Sequence, residues 1–192
     1  MPWVFGYGSL VPAGVTALPA GAVPCRLRGW RREWGVAMDN ARDLPGYKHY
    51  LTPDGERPDV MVAFLDIAPE DGAEVNGAAI PVDEAELPGL DRRERNYRRV
   101  KIGQALDRRL PGDGPVWAYI GRDASRARAA LGRREGRLVV ARGYYDRVVR
   151  GFDVLGEGAA FERLTAAPRA PLEDLVLVRH APVAEPRATA RK

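Results

Sequence analysis

The chain has 192 residues, 45% of them apolar and 29% charged, with a net charge of +4. That length suits one domain, or a domain with a tail, and suffices to bury a sizeable core. No apolar run reaches the length of a membrane helix, and Cys25, the single cysteine, excludes an intramolecular disulfide.

Trp3 to Tyr7 is expected as a strand, and the hexapeptide Phe5-Gly-Tyr-Gly-Ser-Leu10 then loosens the backbone. Arg26 to Val36 is expected as a second strand, with Trp30 and Trp34 on one face at even spacing. Residues 39–59 form a long polar loop. Val60 to Ile67 and Val75 to Val82 are apolar runs of strand length. Asp83 to Arg93 has helical periodicity, and Tyr97 to Leu106 alternates with Val100, Ile102, Gln104 and Leu106 on one face. Val116 to Ile120 is a short strand after a Pro-Gly-Asp-Gly-Pro turn. Further helices are expected over Asp123 to Arg134, over Tyr144 to Leu155 and near Phe161. From Arg179 the chain turns polar and rich in Pro, Ala and Arg, so a domain over 1–178 and a flexible tail over 179–192 are expected.

Strands dominate the first two-thirds and helices gather later, which predicts an α+β fold. Short strands with frequent glycine breaks (the chain has 21 glycines and 16 prolines) suit a sheet that curls towards a small mixed β-barrel flanked by helices.

Charge is unevenly spread. Asp54 to Glu86 holds ten acids against Arg57, whereas Arg122 to Arg150 holds nine arginines against three acids. Such a basic stretch can bind nucleic acid, but no nucleic-acid module signature accompanies it, and a solvated helix face is the simpler expectation. The N-terminus has no signal-peptide pattern, so a cytoplasmic location is the default expectation.

Several chemistries find no support. His49 and His180 are the only histidines and have no metal-type spacing. No Gly-x-Ser-x-Gly elbow and no phosphate-binding P-loop occurs. Gly6 and Gly8 begin like a dinucleotide fingerprint, but Val11 replaces its third glycine and Pro12 follows.

Two stretches carry chemistry. Successive N–H groups in the Gly-Tyr-Gly-Ser turn can hold an anion or a developing oxyanion; a plain tight turn is the alternative. In the segment Val82 to Val100, Asp83 and Glu86 resemble a capping box and Pro88 suits a first helical turn. Leu87, Leu90 and Glu94 are spaced i, i+3 and i+7, so a glutamate continues the apolar stripe. Burial there would raise its pKa and suit it to proton transfer near neutrality. The alternative is a structural glutamate paired with Arg92, Arg93, Arg95, Arg98 or Arg99.

Together these stretches resemble the γ-glutamylcyclotransferase family. The matching residues are Tyr7-Gly8-Ser9-Leu10, Leu90-Asp91-Arg92-Arg93-Glu94 and Tyr97-Arg98-Arg99-Val100. Ala118 to Gly121 and Tyr144 to Gly156 are weaker matches in the same order, covering residues 2–156. Arg95 stands where many members have glycine. Leu10 stands where the branch acting on γ-glutamyl amino acids often has asparagine.

The resemblance implies a small mixed α+β barrel in which Glu94 and the Tyr7–Leu10 loop face one cavity. The implied reaction is attack of the α-amine of a γ-glutamyl group on its own γ-carbonyl, giving 5-oxoproline and the released amine or amino acid. Glu94 is then the acid–base residue and Tyr7, Gly8, Ser9 and Leu10 bind substrate. Tyr119 and Tyr144 line the cavity by family position, with ordinary core aromatics as the alternative. The implied partner is a small γ-glutamyl molecule, with no metal, cofactor, nucleic acid or membrane. Glutathione, γ-glutamyl dipeptides, γ-glutamyl-lysine and γ-glutamylated secondary metabolites are the candidates. A competing expectation is a binding module on the same fold without turnover.

Overall fold

The computed structural model describes residues 1–11, 20–42, 48–102 and 105–179. Part of the polar loop (43–47), Gly103 and Gln104 of the alternating segment, and 180–192 of the expected tail lie outside the described residues.

The architecture is α+β. Strand β1 (Trp3–Gly6) is wholly buried, as its apolar sequence demands. It pairs antiparallel with β4 (Met61–Pro81) and parallel with β6 (Val116–Gly121). β5 (Tyr97–Lys101) adds to β6, while β7 (Leu138–Ala141) and then β8 (Leu172–Glu173) extend the sheet beyond β4. β2 (Val23–Asp39) lies antiparallel on β4, completing a mixed seven-stranded sheet. β3 (Lys48–Leu51) and β9 (Val176–Arg179) form a separate two-stranded ladder.

The ladders form a path, and no closed ring of strand pairs is present among the described residues. The sheet nevertheless curls. A bridge from Leu27 in β2 to Leu106 brings the chain that leaves β5 back against the far side of the sheet. The Arg26 N–H donates to the Asp107 carboxylate there at 2.9 Å.

The two apolar runs expected as separate strands belong to the single strand β4. Its ladder with β2 shifts register between Arg28 and Trp30, beside the exposed turn-like stretch around Gly72. Gly29 and Gly72 both take positive φ, 76° and 78°, where a side chain would be strained. The bulge bends the ladder into two wings and so lets one pair of strands line two parts of the core.

Helix α1 (Leu87–Arg93) follows a 3₁₀ turn (Glu84–Glu86), capped as expected by the Glu86 carboxylate accepting the Asp83 N–H at 3.1 Å. Helix α2 (Asp123–Arg134) packs on β2, and α3 (Arg142–Val154) and α4 (Gly158–Arg163) pack together through stacked Phe152 and Phe161. The Arg32 guanidinium lies 4.7 Å from both of those rings and donates to the carbonyl and side chain of Asn76. Burial holds its pKa down to about 9.

Asp66, fully buried in β4, ties three elements together. Its carboxylate accepts the Ile67 N–H (2.8 Å), the Gly121 N–H at the end of β6 (2.7 Å) and the Arg126 Nε of α2 (2.7 Å). Gly121 is required by that approach, since a Cβ there would lie 2.6 Å from Asp66 Oδ2 and 2.4 Å from Val36 Cγ2.

Candidate active site

The end of β1 meets α1, β6 and α3 around one pocket. It is lined by Tyr7, Gly8, Ser9, Leu10, Leu65, Glu94, Tyr97, Tyr119 and Tyr144 and encloses about 290 Å³, its open mouth included. All seven residues singled out in the sequence therefore share one cavity, although they come from four separate parts of the chain.

The loop after β1 folds back on itself, with the Val11 N–H donating to the Gly8 carbonyl at 2.9 Å. Neither Gly6 nor Gly8 takes a positive φ, so the glycines are needed for space and not for a left-handed backbone. A Cβ on Gly6 would sit 3.2 Å from Leu10 Cβ and from the Val11 nitrogen; one on Gly8 would reach 3.4 Å from Leu65 and 3.6 Å from the Tyr144 hydroxyl. Among the described residues, no backbone carbonyl accepts the N–H groups of Gly8, Ser9 or Leu10. Donors of this kind suit a carboxylate or a developing oxyanion.

Glu94 ends α1. Its N–H closes the last turn on the Leu90 carbonyl (2.8 Å), and its backbone then leaves the helical region. The apolar stripe expected from the sequence holds: Leu87 is buried and Leu90 half-buried, while Asp91, Arg92 and Arg93 are exposed. The Glu94 side chain is 16% exposed, and its Oε1 accepts Arg93 Nε at 3.0 Å. Glu94 thus lines the pocket, and of the arginines considered in the sequence Arg93 is the one that holds its carboxylate. Arg99 pairs instead with Asp91, at 3.1 Å.

Four tyrosines form the walls. The Tyr7 hydroxyl donates to the Tyr119 carbonyl, Tyr97 to the Leu65 carbonyl (2.7 Å) and Tyr119 to Asp91 Oδ1 (2.8 Å). Tyr144 meets Phe64 edge to face with ring centres 5.0 Å apart. Burial raises the pKa of all four phenols, so they stay protonated around neutrality and act as hydrogen-bond donors. Tyr119 is both wall and core, since it is 2% exposed and also packs with Val4, Val82 and Leu87.

Leu65 and Tyr97 line the pocket without having been singled out. Tyr97 opened a motif already noted, whereas Leu65 lies in an apolar strand run that carries no signal of a site. Among the described residues, no three His, Cys, Asp or Glu side chains come together to hold a metal ion. No described helix is long and apolar enough to cross a membrane.

The family model described as "Gamma-glutamyl cyclotransferase, AIG2-like" matches residues 4–147. The chain belongs to this family. A solved structure titled gamma-glutamyl cyclotransferase is similar to this member with a TM-score of 0.50 and 11% identity, over 90% of this chain and 93% of the other. The human protein loc79017, described as uncharacterized, matches with a TM-score of 0.49, 11% identity and the same coverage. The Arabidopsis thaliana protein At5g39720.1 matches with a TM-score of 0.39 and 22% identity, over 63% of this chain and 68% of its own. At 11% identity the likeness to the first of these concerns the fold alone. No curated protein matches this member of the γ-glutamyl cyclotransferase, AIG2-like family.

Proposed function

We propose that the protein is a γ-glutamylcyclotransferase that converts a γ-glutamyl compound to 5-oxoproline and a free amine or amino acid. The observation that carries this reading is the shared pocket, which Glu94 and the loop residues Gly8 to Leu10 line together, with no backbone carbonyl among the described residues accepting the loop N–H groups. Membership of the family supports the reaction class.

The chemistry follows from those groups. Only a neutral α-amine is a nucleophile, so Glu94 takes a proton from the substrate ammonium. The amine attacks the γ-carbonyl carbon and a C–N bond forms. Loop N–H groups stabilise the oxyanion of the tetrahedral intermediate. That intermediate collapses as the original C–N bond breaks: Glu94 gives its proton to the departing nitrogen, then takes the extra proton left on the ring nitrogen and passes it to the released amine or to solvent, leaving a neutral lactam. Both reactants belong to one molecule, so the tyrosine walls need mainly fold the substrate into a ring-closing pose and exclude water. The neutral phenols can hold the substrate by hydrogen bonds without competing for its proton.

The test is release of 5-oxoproline from a panel of γ-glutamyl peptides, amines and glutathione by the purified protein. Stoichiometric release with at least one class supports the reading. Saturable binding with no 5-oxoproline from any of them would make the pocket a metabolite-binding site instead.

A further inference from the structure

Three of the four wall tyrosines give their single phenol proton to the protein. Tyr7 donates to the Tyr119 carbonyl, Tyr97 to the Leu65 carbonyl and Tyr119 to Asp91 Oδ1. A phenol has one proton besides its lone pairs, so what these three can offer a ligand is an oxygen that accepts. For Tyr7 and Tyr97 the protein acceptor is a backbone carbonyl, fixed by the fold. For Tyr119 it is a side chain, and that side chain has to be held in place by others.

The structure holds it. Arg99 on β5 and Tyr119 on β6 are direct cross-strand partners, so both side chains leave one face of the sheet. Trp117 shares that face, two residues before Tyr119 on β6. Helix α1 packs there through Leu87 and Leu90, in one apolar cluster with Tyr119, Tyr97 and Trp117. Asp91, the residue after Leu90, then reaches both strands. Its Oδ1 accepts the Tyr119 hydroxyl at 2.8 Å and its Oδ2 accepts Arg99 Nη2 at 3.1 Å. The Arg99 guanidinium lies 4.9 Å from the centre of the Trp117 ring. The Asp91 side chain is 42% exposed, but an arginine only 24% exposed and seated on an indole fixes its second oxygen. Burial first, and then the Asp91 carboxylate, keep the proton on the Tyr119 phenol. Asp91 stands three residues before Glu94 and lines no part of the pocket itself, whereas Tyr119 and Glu94 both do.

We propose that Asp91 is a positioning residue: held by Arg99, it takes the Tyr119 proton and so presents the Tyr119 oxygen as an acceptor to the α-ammonium of the substrate, beside the Glu94 carboxylate that deprotonates it. This rests on the cyclotransferase reading and adds to it a side chain that acts through another. Without Asp91 the phenol proton is free to turn into the pocket, where it opposes an ammonium. Arg99 and Trp117 belong to the same device, one step further from the substrate.

A double-mutant cycle tests this. The probe is whichever of γ-glutamyl-alanine, γ-glutamyl-lysine and glutathione the Glu94→Gln protein binds tightest by calorimetry, since no cyclisation obscures binding there. KM and kcat for 5-oxoproline release are measured for wild type, Asp91→Ala, Tyr119→Phe and the double variant, and Kd for the same set in the Glu94→Gln background. Each single change is expected to raise KM and Kd about tenfold, the scale of one hydrogen bond to a charged group, with kcat changed by less than about threefold. The double variant is expected to stay within about twofold of either single one, because both changes remove the same contact. Asp91→Asn keeps an acceptor for the phenol but not the charge that Arg99 holds, and is expected to raise KM only about threefold. Melting curves on every variant separate these effects from loss of fold.

Multiplied losses in the double variant overturn the proposal, because Asp91 would then act apart from Tyr119. So do an unchanged KM and Kd in Asp91→Ala; a lowered melting temperature with normal KM would make the Asp91–Arg99 pair a clasp of the fold alone. Binding by the wild-type protein with no 5-oxoproline would end the cyclotransferase reading, and the cycle read in Kd would still decide the role of Asp91. Binding of none of the three compounds at millimolar concentration ends the proposal.

Discussion

The arginines of α2 and those of α3 and β9 behave differently in the fold. Along α2, Arg126, Arg128 and Arg133 are tied to the sheet. Arg126 holds Asp66 and the Ile67 carbonyl, Arg128 holds the Ala37 carbonyl and the side chains of Ser125 and Asn96, and Arg133 reaches the Trp34 carbonyl. Arg147 on α3 and Arg179 on β9 are exposed instead. A run of arginines in α2 therefore reads as stitching between helix and sheet, while isolated arginines elsewhere stay in solvent. Density of charge along the chain is the poorer guide; convergence in space is what matters for recognition.

The sharpest way to break this comparison is to remove the partner on the structural side. Asp66→Ala leaves the buried Ile67 and Gly121 N–H groups without their acceptor and frees the part-exposed Arg126, and is expected to cost about 2–4 kcal/mol, at about 1–3 kcal/mol for each N–H left unpaired. Urea unfolding measures it. A loss below about 1 kcal/mol would mean that α2 is held by something else.

A middle-sized effect is expected in the pocket wall. Tyr119→Phe removes the hydroxyl bonded to Asp91 and should cost about 1 kcal/mol, the net worth of such a bond, and should also raise KM. Tyr144→Phe should weaken substrate handling at preserved melting temperature. Unchanged kinetics in both would remove these hydroxyls from the site.

Lys48 carries a stability cost with a definite sign. Its folded pKa is about 8 against an ordinary 10.5, so between those values the unfolded chain binds more protons than the folded one. The penalty is full below pH 8 and lifts as the pH rises towards 10.5. Lys48→Met is therefore expected to gain most relative to wild type near pH 7 and least near pH 10.5. An advantage that grew with pH would contradict the burial of the ammonium. The smallest effect is expected at the end of the chain, where deletion beyond Ala181 should change stability by no more than about 0.5 kcal/mol.

The sequence made much of this legible where short-range pattern decides the structure. The β1 run, α1 with Pro88 and the Leu87–Leu90–Glu94 stripe, and α2 all form close to the expected places. Where pairing is long-range, pattern fails. β3 and β9 come from distant parts of the chain and stabilise one another, so neither stretch reads as a strand alone. β7 is a four-residue apolar run that becomes a strand because β4 and β8 flank it. The stretch between the two halves of β4 reads as a turn, but the bulge at Gly72 keeps the strand continuous. In the site, glycine spacing and a charge in an apolar stripe singled out the loop and Glu94 without deciding their role, and the family resemblance joined them. Leu65 gave no signal, because it resembles every other strand residue.

The central claim is that Glu94 moves the proton in this pocket. Glu94→Gln keeps size and much of the hydrogen bonding, including an acceptor for Arg93, but takes no proton at neutral pH. Release of 5-oxoproline and thermal melting should be measured on the same preparations of wild type and variant. The account predicts a melting temperature close to wild type with turnover lowered by about a hundredfold or more, the scale of a lost general base. Cyclisation at the wild-type rate, or a variant that loses stability while its folded fraction keeps normal specific activity, would contradict it and leave Glu94 as a structural partner of Arg93.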